Sequence, residues 1–235
     1  MPLKWSLPNF LFASRGIFAA GALLLSAGFS VHALAENSGN PALDARASAG
    51  YFTYKSLYAL SNDTGLRYDY QAAIYGGNSR SIGMFMRGNM QSANFALVSK
   101  KLDSSALDFI IRMHIGPMYF GPMVGMANFK FTDASGTVFD LNQRHYGGNF
   151  GFEADIMRGA VVRLDGLVTN QYDAKEVSNQ TIKMGMRMEG DLGFDFKFAK
   201  NFGFVVGGKY ITYTLESAKE VITMPYGGLM AAFDF

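Results

Sequence analysis

Beyond the first 35 residues, which hold His32, the groups best suited to acid–base chemistry near neutral pH are two histidines, His114 and His145. His145 follows the polar run "TDASGTVFDLNQRHYGG", which also brings Asp133, Asp140 and Arg144, and its place there is expected to be an outer rim. A hydrolase would need that imidazole oriented by a carboxylate and aimed at a nucleophile or a water. No second acidic motif accompanies it, neither histidine has a Ser two residues on, and there is no Gly-x-Ser-x-Gly. His114 follows Arg112 and precedes Gly116-Pro117, so it is expected low in an interior as a hydrogen-bonded residue. With no cysteine, thiol chemistry and Cys-based metal sites are excluded, and two isolated histidines make no transition-metal centre. The Gly-rich "YGGNFGF" lacks the Gly-x-x-x-x-Gly-Lys frame of a phosphate loop. No catalytic residue, metal or cofactor is assigned, and the chain is read as a non-enzyme.

A larger set of charged residues remains, and its spacing is the informative part. Arg67 and Asp69, Asp108 and Arg112 with His114, Glu153 and Asp155, Arg163 and Asp165, and Arg187, Glu189 and Asp191 all recur at even separations. In "IKMGMRMEGDLGFDFKF", Ile182 to Phe198, the alternate positions are Met184, Met186, Met188, Leu192, Phe194 and Phe196. Side chains two apart share one face of a β-strand, so each stretch is a strand with an oily face and a charged face. Both signs lie interleaved on the charged face, which suits a confined space where each charge needs a partner. These residues, together with Lys55, Arg87, Lys183, Asp195 and Lys209, are expected to form a lumenal charge network.

The same alternation runs through most of the chain. Candidate strands cover residues 47–59, 66–77, 80–98, 105–116, 118–131, 145–157, 160–172, 181–198, 202–214 and 222–235. That makes an all-β protein of ten strands, with eight as the fallback if the third, whose phase shifts near Gly88 to Ser92, is split by a bulge or a break, or if the first is not part of the sheet. Short links at 77–79, 116–117, 158–159 and 200–201 alternate with longer polar ones at 99–104, 132–144, 173–180 and 216–220.

The first 35 residues have Lys4 and Arg15, an apolar run from Gly16 to Val31, and Ala33-Leu34-Ala35, the pattern of a cleaved export signal. The leader has no acid, so of 21 Lys and Arg 19 remain, against 19 Asp and Glu. A neutral chain offers nothing for nucleic acid to bind. Charged residues are 17% of the whole, below the roughly 25% of soluble domains. Residues 36–48 are read as a periplasmic arm and 49–235 as the barrel.

The chain ends "YGGLMAAFDF", with Phe235, Phe233, Ala231, Leu229 and Gly227 on one face. This end resembles the C-terminal strand of Gram-negative outer-membrane β-barrels, in the small-barrel class. The resemblance implies a closed antiparallel up-and-down transmembrane barrel in the outer membrane. It also implies contact of Phe233 and Phe235 with the barrel-assembly machinery, and periplasmic chaperones during biogenesis. Outer-membrane lipids then meet the oily face, where the methionines pack among acyl chains and Tyr58, Tyr68, Tyr70, Tyr119, Tyr146 and Tyr210 supply girdles. A monomer with a largely closed lumen and a structural or surface-interaction role is the first reading. A narrow pore for small solutes is the second, and a soluble, lipocalin-like binder of an apolar ligand the third. On this face assignment Met186→Arg is expected to cost about 2–4 kcal/mol in a folding titration, and a change at Arg187 less.

Overall fold

The computed structural model describes residues 42–55, 63–76, 82–95, 100–132, 135–136, 138–171, 174–176, 181–182, 184–215 and 218–234. The leader, residues 36–41, Tyr58, Lys183 and Phe235 lie outside them. The elements are β1 (Ala42–Lys55), β2 (Asp63–Gly76), β3 (Ile82–Phe95), β4 (Lys100–Ile115), β5 (Met118–Thr132) and β6 (Val138–Met157). They continue with β7 (Ala160–Gln171), β8 (Ala174–Glu176), β9 (Thr181–Ile182), β10 (Met184–Lys197), β11 (Phe202–Leu215) and β12 (Ala218–Asp234). Each long strand pairs antiparallel with its neighbours, β5 pairs with β6, and β1 pairs with β12, so ten strands close into a barrel. The short strands β8 and β9 pair with each other, and β8 pairs with the loop-side end of β6.

Closure starts from the alternation. Arg46, Gln71, Arg87, Asp108, Gly125, His145, Thr169, Arg187, Lys209 and Met224 stand at inward positions. Across each pair the registers match like faces: Ala45 opposes Ala72, Tyr70 opposes Gly88, and Leu164 opposes Leu192, all outward. A one-residue slip would turn every charge into the apolar surroundings, which fixes the register. Tight turns cap one end, where Gly116 (φ 60°) and Gly159 (φ 81°) adopt the left-handed conformation that two-residue links require. Pro122 and Pro225, which have no N–H to give, stand where the β4–β5 and β1–β12 ladders are interrupted.

The burial pattern is inverted relative to a soluble barrel. Met84 is 68% exposed, Val124 59%, Leu192 47% and Leu229 66%, while Arg112, Asp108 and His145 are 2% exposed or less. An apolar wall with an ionic interior is stable only against hydrocarbon, so the barrel crosses a membrane. On β10 the outward apolar positions run from Met186 to Phe196. Ten residue steps of about 3.4 Å, tilted by about 40°, span roughly 26 Å, matching the ~25 Å apolar band of such barrels. Outward Tyr51, Tyr68, Tyr146 and Tyr210 lie in the loop-side halves of their strands. Outward Phe120, Phe150, Phe152, Phe194, Phe196, Phe202, Phe204 and Phe233 lie in the turn-side halves.

Several expectations are corrected. Residues 42–48, assigned to an arm, are the first half of β1 and pair with both β2 and β12. The β3 strand is continuous in register with β2 and β4, because Gly88 and Met90 stay outward while Arg87, Asn89 and Gln91 stay inward. The long polar links are mostly strand: β5 runs to Thr132, β6 starts at Val138, and β12 starts at Ala218, three residues after β11 ends. Tyr119 points inward and is 1% exposed, so it belongs to no girdle.

The belt also relocates the membrane test. Its centre on β10 is near Leu192, and Met186 stands at its loop-side edge. Leu192→Arg should cost about 2–4 kcal/mol and Met186→Arg about 0–1 in a urea titration of the barrel folded into vesicles. Equal costs at the two positions would be inconsistent with this belt.

Candidate functional site

The lumen is filled by side chains in three zones. At its centre, Arg87 on β3 holds Asp108 on β4 at 2.9 Å and reaches Glu189 on β10 at 2.7 Å. Glu189 also takes Arg187 at 2.7 Å. Lys209 on β11 lies 3.2 Å from Asp69 on β2, 3.6 Å from Asp191 and 4.0 Å from Glu189, and Asp69 binds Arg67 at 2.9 Å. The Tyr226 hydroxyl donates to Asp191 at 2.6 Å and accepts from Arg163 at 3.2 Å, with Arg163 itself 4.0 Å from Asp191. Asp108 is joined from the other side by His145 Nε2 at 2.6 Å.

Toward the turns, Arg112 binds Asp165 at 2.7 Å and Asn149 Oδ1 at 2.5 Å, and Asn149 donates in turn to Asp165. Its guanidinium is sandwiched between the rings of Phe85 (3.9 Å) and Tyr119 (4.2 Å). Planar guanidinium is the cation that can stack and bridge at once. His114 lies against Tyr75 and Tyr119, with ring centres 5.6 and 5.3 Å away. Arg46 on β1 binds Asp195 at 2.8 Å and approaches Glu153 at 3.9 Å. Toward the loops Phe52, Tyr54, Ala93, Ile211, Ile222 and Met224 pack together beside buried Asp63, Gln91, Gln143 and Glu220, and the Tyr213 hydroxyl donates to that of Tyr54 at 3.0 Å.

Of the charges expected in the lumen, Arg67, Asp69, Asp108, Arg112, Arg163, Asp165, Arg187, Glu189 and Asp191 are brought together, as are Arg87, Asp195 and Lys209. Glu153 joins them at a partly exposed edge, and His114 takes its place low in the lumen through edge-on and tilted ring contacts with Tyr75 and Tyr119. Asp155 is exposed, because a bulge between Asp155 and Met157 carries it out at the turn end. Lys55, on the outward phase of β1, is exposed as well. An apolar lumen for a lipocalin-like ligand is contradicted by these ions.

His145 is corrected from rim to core: β6 begins seven residues earlier, and His145 is 2% exposed at the barrel's centre. The signal was present, since His145 is in phase with Asn149 and Glu153. Gly125 makes room for it: a methyl group there would strike both His145 Nε2 and Asp108 Oδ1. Arg46 was missed because Ala45, Ala47 and Ala49 give β1 an outward face too small to register as apolar alternation.

No protein-family model and no curated protein matches this sequence. Among solved structures the fold is similar to neisserial surface protein A, with 11% identity and a TM-score of 0.46 over 82% of this chain and 99% of that one. It is similar to the translocator domain of the autotransporter NalP from Neisseria meningitidis, with 11% identity and a TM-score of 0.45 over 92% and 98% of the two chains. It is also similar to the outer-membrane protease OmpT from Escherichia coli, with 9% identity and a TM-score of 0.45 over 84% and 98%. At these identities and scores the likeness assigns neither family nor role to this chain.

Breaking a buried pair leaves a charge uncompensated, which typically costs about 3–5 kcal/mol, whereas an exposed pair is worth about 0–1. Arg87→Met should therefore lower folding stability by roughly 3–5 kcal/mol in a urea titration in vesicles. Lys101→Met, which removes the exposed 2.8 Å pair with Asp103, should lower it by about 1 kcal/mol or less. Gly125→Ala should separate His145 from Asp108, read as a shift of the His145 ring resonances by NMR.

Proposed function

We propose that this chain is an outer-membrane β-barrel with a closed lumen, serving a structural or surface-interaction role and performing no catalysis. The observation that carries the closed lumen is the lack of room at its centre. The void lined by Arg46, Arg87, Arg163, Asp191, Lys209 and Tyr226 measures about 30 Å³, the space of roughly one water. A wet channel would expose the side chains along it, yet Asp108 and His145 show none of their side-chain surface. The same burial supports the non-enzymatic reading, because a substrate could not reach the His145–Asp108 couple.

Placement in the outer membrane is supported by the export leader, the apolar terminal strand and the barrel form. A role outside the cell is supported by the loop end, where β6 is 20 residues long although about 9–11 suffice to cross a bilayer. The surplus, with β8 attached to it, projects from the membrane as ordered sheet.

Planar-bilayer recording tests the reading. The purified barrel should insert without steady single-channel steps. Steady steps from the unaltered protein would overturn the closed lumen in favour of a narrow pore.

A further inference from the structure

We infer that the turn-side half of the outer wall, between β5 and β10, binds one anionic phospholipid; the inference rests on the membrane-spanning reading. A groove of about 530 Å³ runs there, walled by Met118, Phe120, Phe150, Phe152 and Leu164. Its floor is a directly opposed outward pair, Gly166 on β7 and Gly190 on β10. The Phe150 ring folds over Gly166, while a side chain at Gly190 would meet nothing within 4 Å. With the Phe150 ring lying flat over Gly166 and open space at Gly190, the bulky neighbours enclose an apolar trough on the scale of an acyl chain.

The strands that form the trough end in a cationic rim. Arg158 lies in the β6–β7 turn and Lys200 in the turn after β10, and both are exposed; Lys197, exposed at the end of β10, stands on the lumen phase of that strand. The two turns are joined, since the Lys197 N–H donates to the Gly159 carbonyl at 2.7 Å. Among the described residues, the exposed acid at these turns is Asp155. Phe196, Phe198 and Phe204 stack beside the lysines, with ring centres 5.1 and 6.5 Å apart. From Lys197 to Gly190 is seven residues, about 24 Å along a tilted strand and about 18 Å in depth. That approximates half of a bilayer counted with its headgroups, roughly 20 Å. A phosphate held by Arg158 and Lys200 would thus place its chain in the trough down to the midplane. Surface cations favour anionic over zwitterionic headgroups, so a phosphatidylglycerol-type lipid is the occupant.

Native mass spectrometry of the full barrel, released from neutral detergent micelles containing phosphatidylglycerol and phosphatidylcholine of matched chains, tests this. One phosphatidylglycerol should be retained in preference to phosphatidylcholine by roughly tenfold. The double variant Arg158→Glu, Lys200→Glu should lose the preference, and Gly190→Leu, which fills the trough, should lose the retained lipid while keeping heat-modifiable migration. Equal retention of both lipids by the unaltered barrel, or undiminished retention by Gly190→Leu, overturns the site. Failure of the unaltered chain to fold into micelles or vesicles overturns the membrane reading instead.

Discussion

Everything in this fold depends on ions being paired where there is no water to solvate them. A lone guanidinium or carboxylate at the centre of the lumen would be prohibitively costly, so each must meet its partner, and the partners sit on distant strands. Arg87 joins β3 to β10, Arg112 joins β4 to β7, Arg46 joins β1 to β10, and Lys209 joins β11 to β2. These ties cross the lumen rather than follow the sheet, and they fix the barrel's cross-section as well as its register. Such pairs add little to net stability compared with apolar filling. Their contribution lies in the penalty they place on any other arrangement of the strands.

The outer wall answers to a different solvent. Its methionines, leucines and phenylalanines are exposed in a way no aqueous protein tolerates over such an area, and the two halves of the wall are not alike. Tyrosine, with a hydroxyl to place among polar groups, faces out toward the loops, whereas phenylalanine faces out toward the turns. The two leaflets therefore meet chemically different surfaces. A barrel built this way has one orientation in which both rims are matched.

Much of this is legible in the sequence, because period 2 is written in side-chain chemistry. The runs Met186 to Phe196 and Phe109 to Ile115 declared both face and strand, and the interleaved Arg187, Glu189 and Asp191 declared the lumen. Legibility failed where side chains are small or where polar residues stand in strands. Ala45, Ala47 and Ala49 hid the start of β1, and with it Arg46. The polar run before His145 has the composition of a loop, although from Val138 on its residues belong to a strand that leaves the membrane. Tyr119 was assigned by residue type to an interface, while its pairing with His114 sets it inside, against Arg112. Which charges find each other across the lumen is not encoded in spacing at all, since it depends on closure bringing β3 opposite β10.

The seam between β1 and β12 shows how this closure must proceed in time. Ala42 pairs with Asp234 and Lys55 with Val221, so the first strand waits for the last one before it has a second neighbour. No intermediate length of chain can form a smaller version of this barrel with its charges satisfied, because the ions of β1 and β2 look to β10 and β11 for partners. The ladder that completes the ring is also one of those interrupted by a proline. The molecule is thus committed to a single late event, in which the ends of the chain meet and the interior is sealed in the same step.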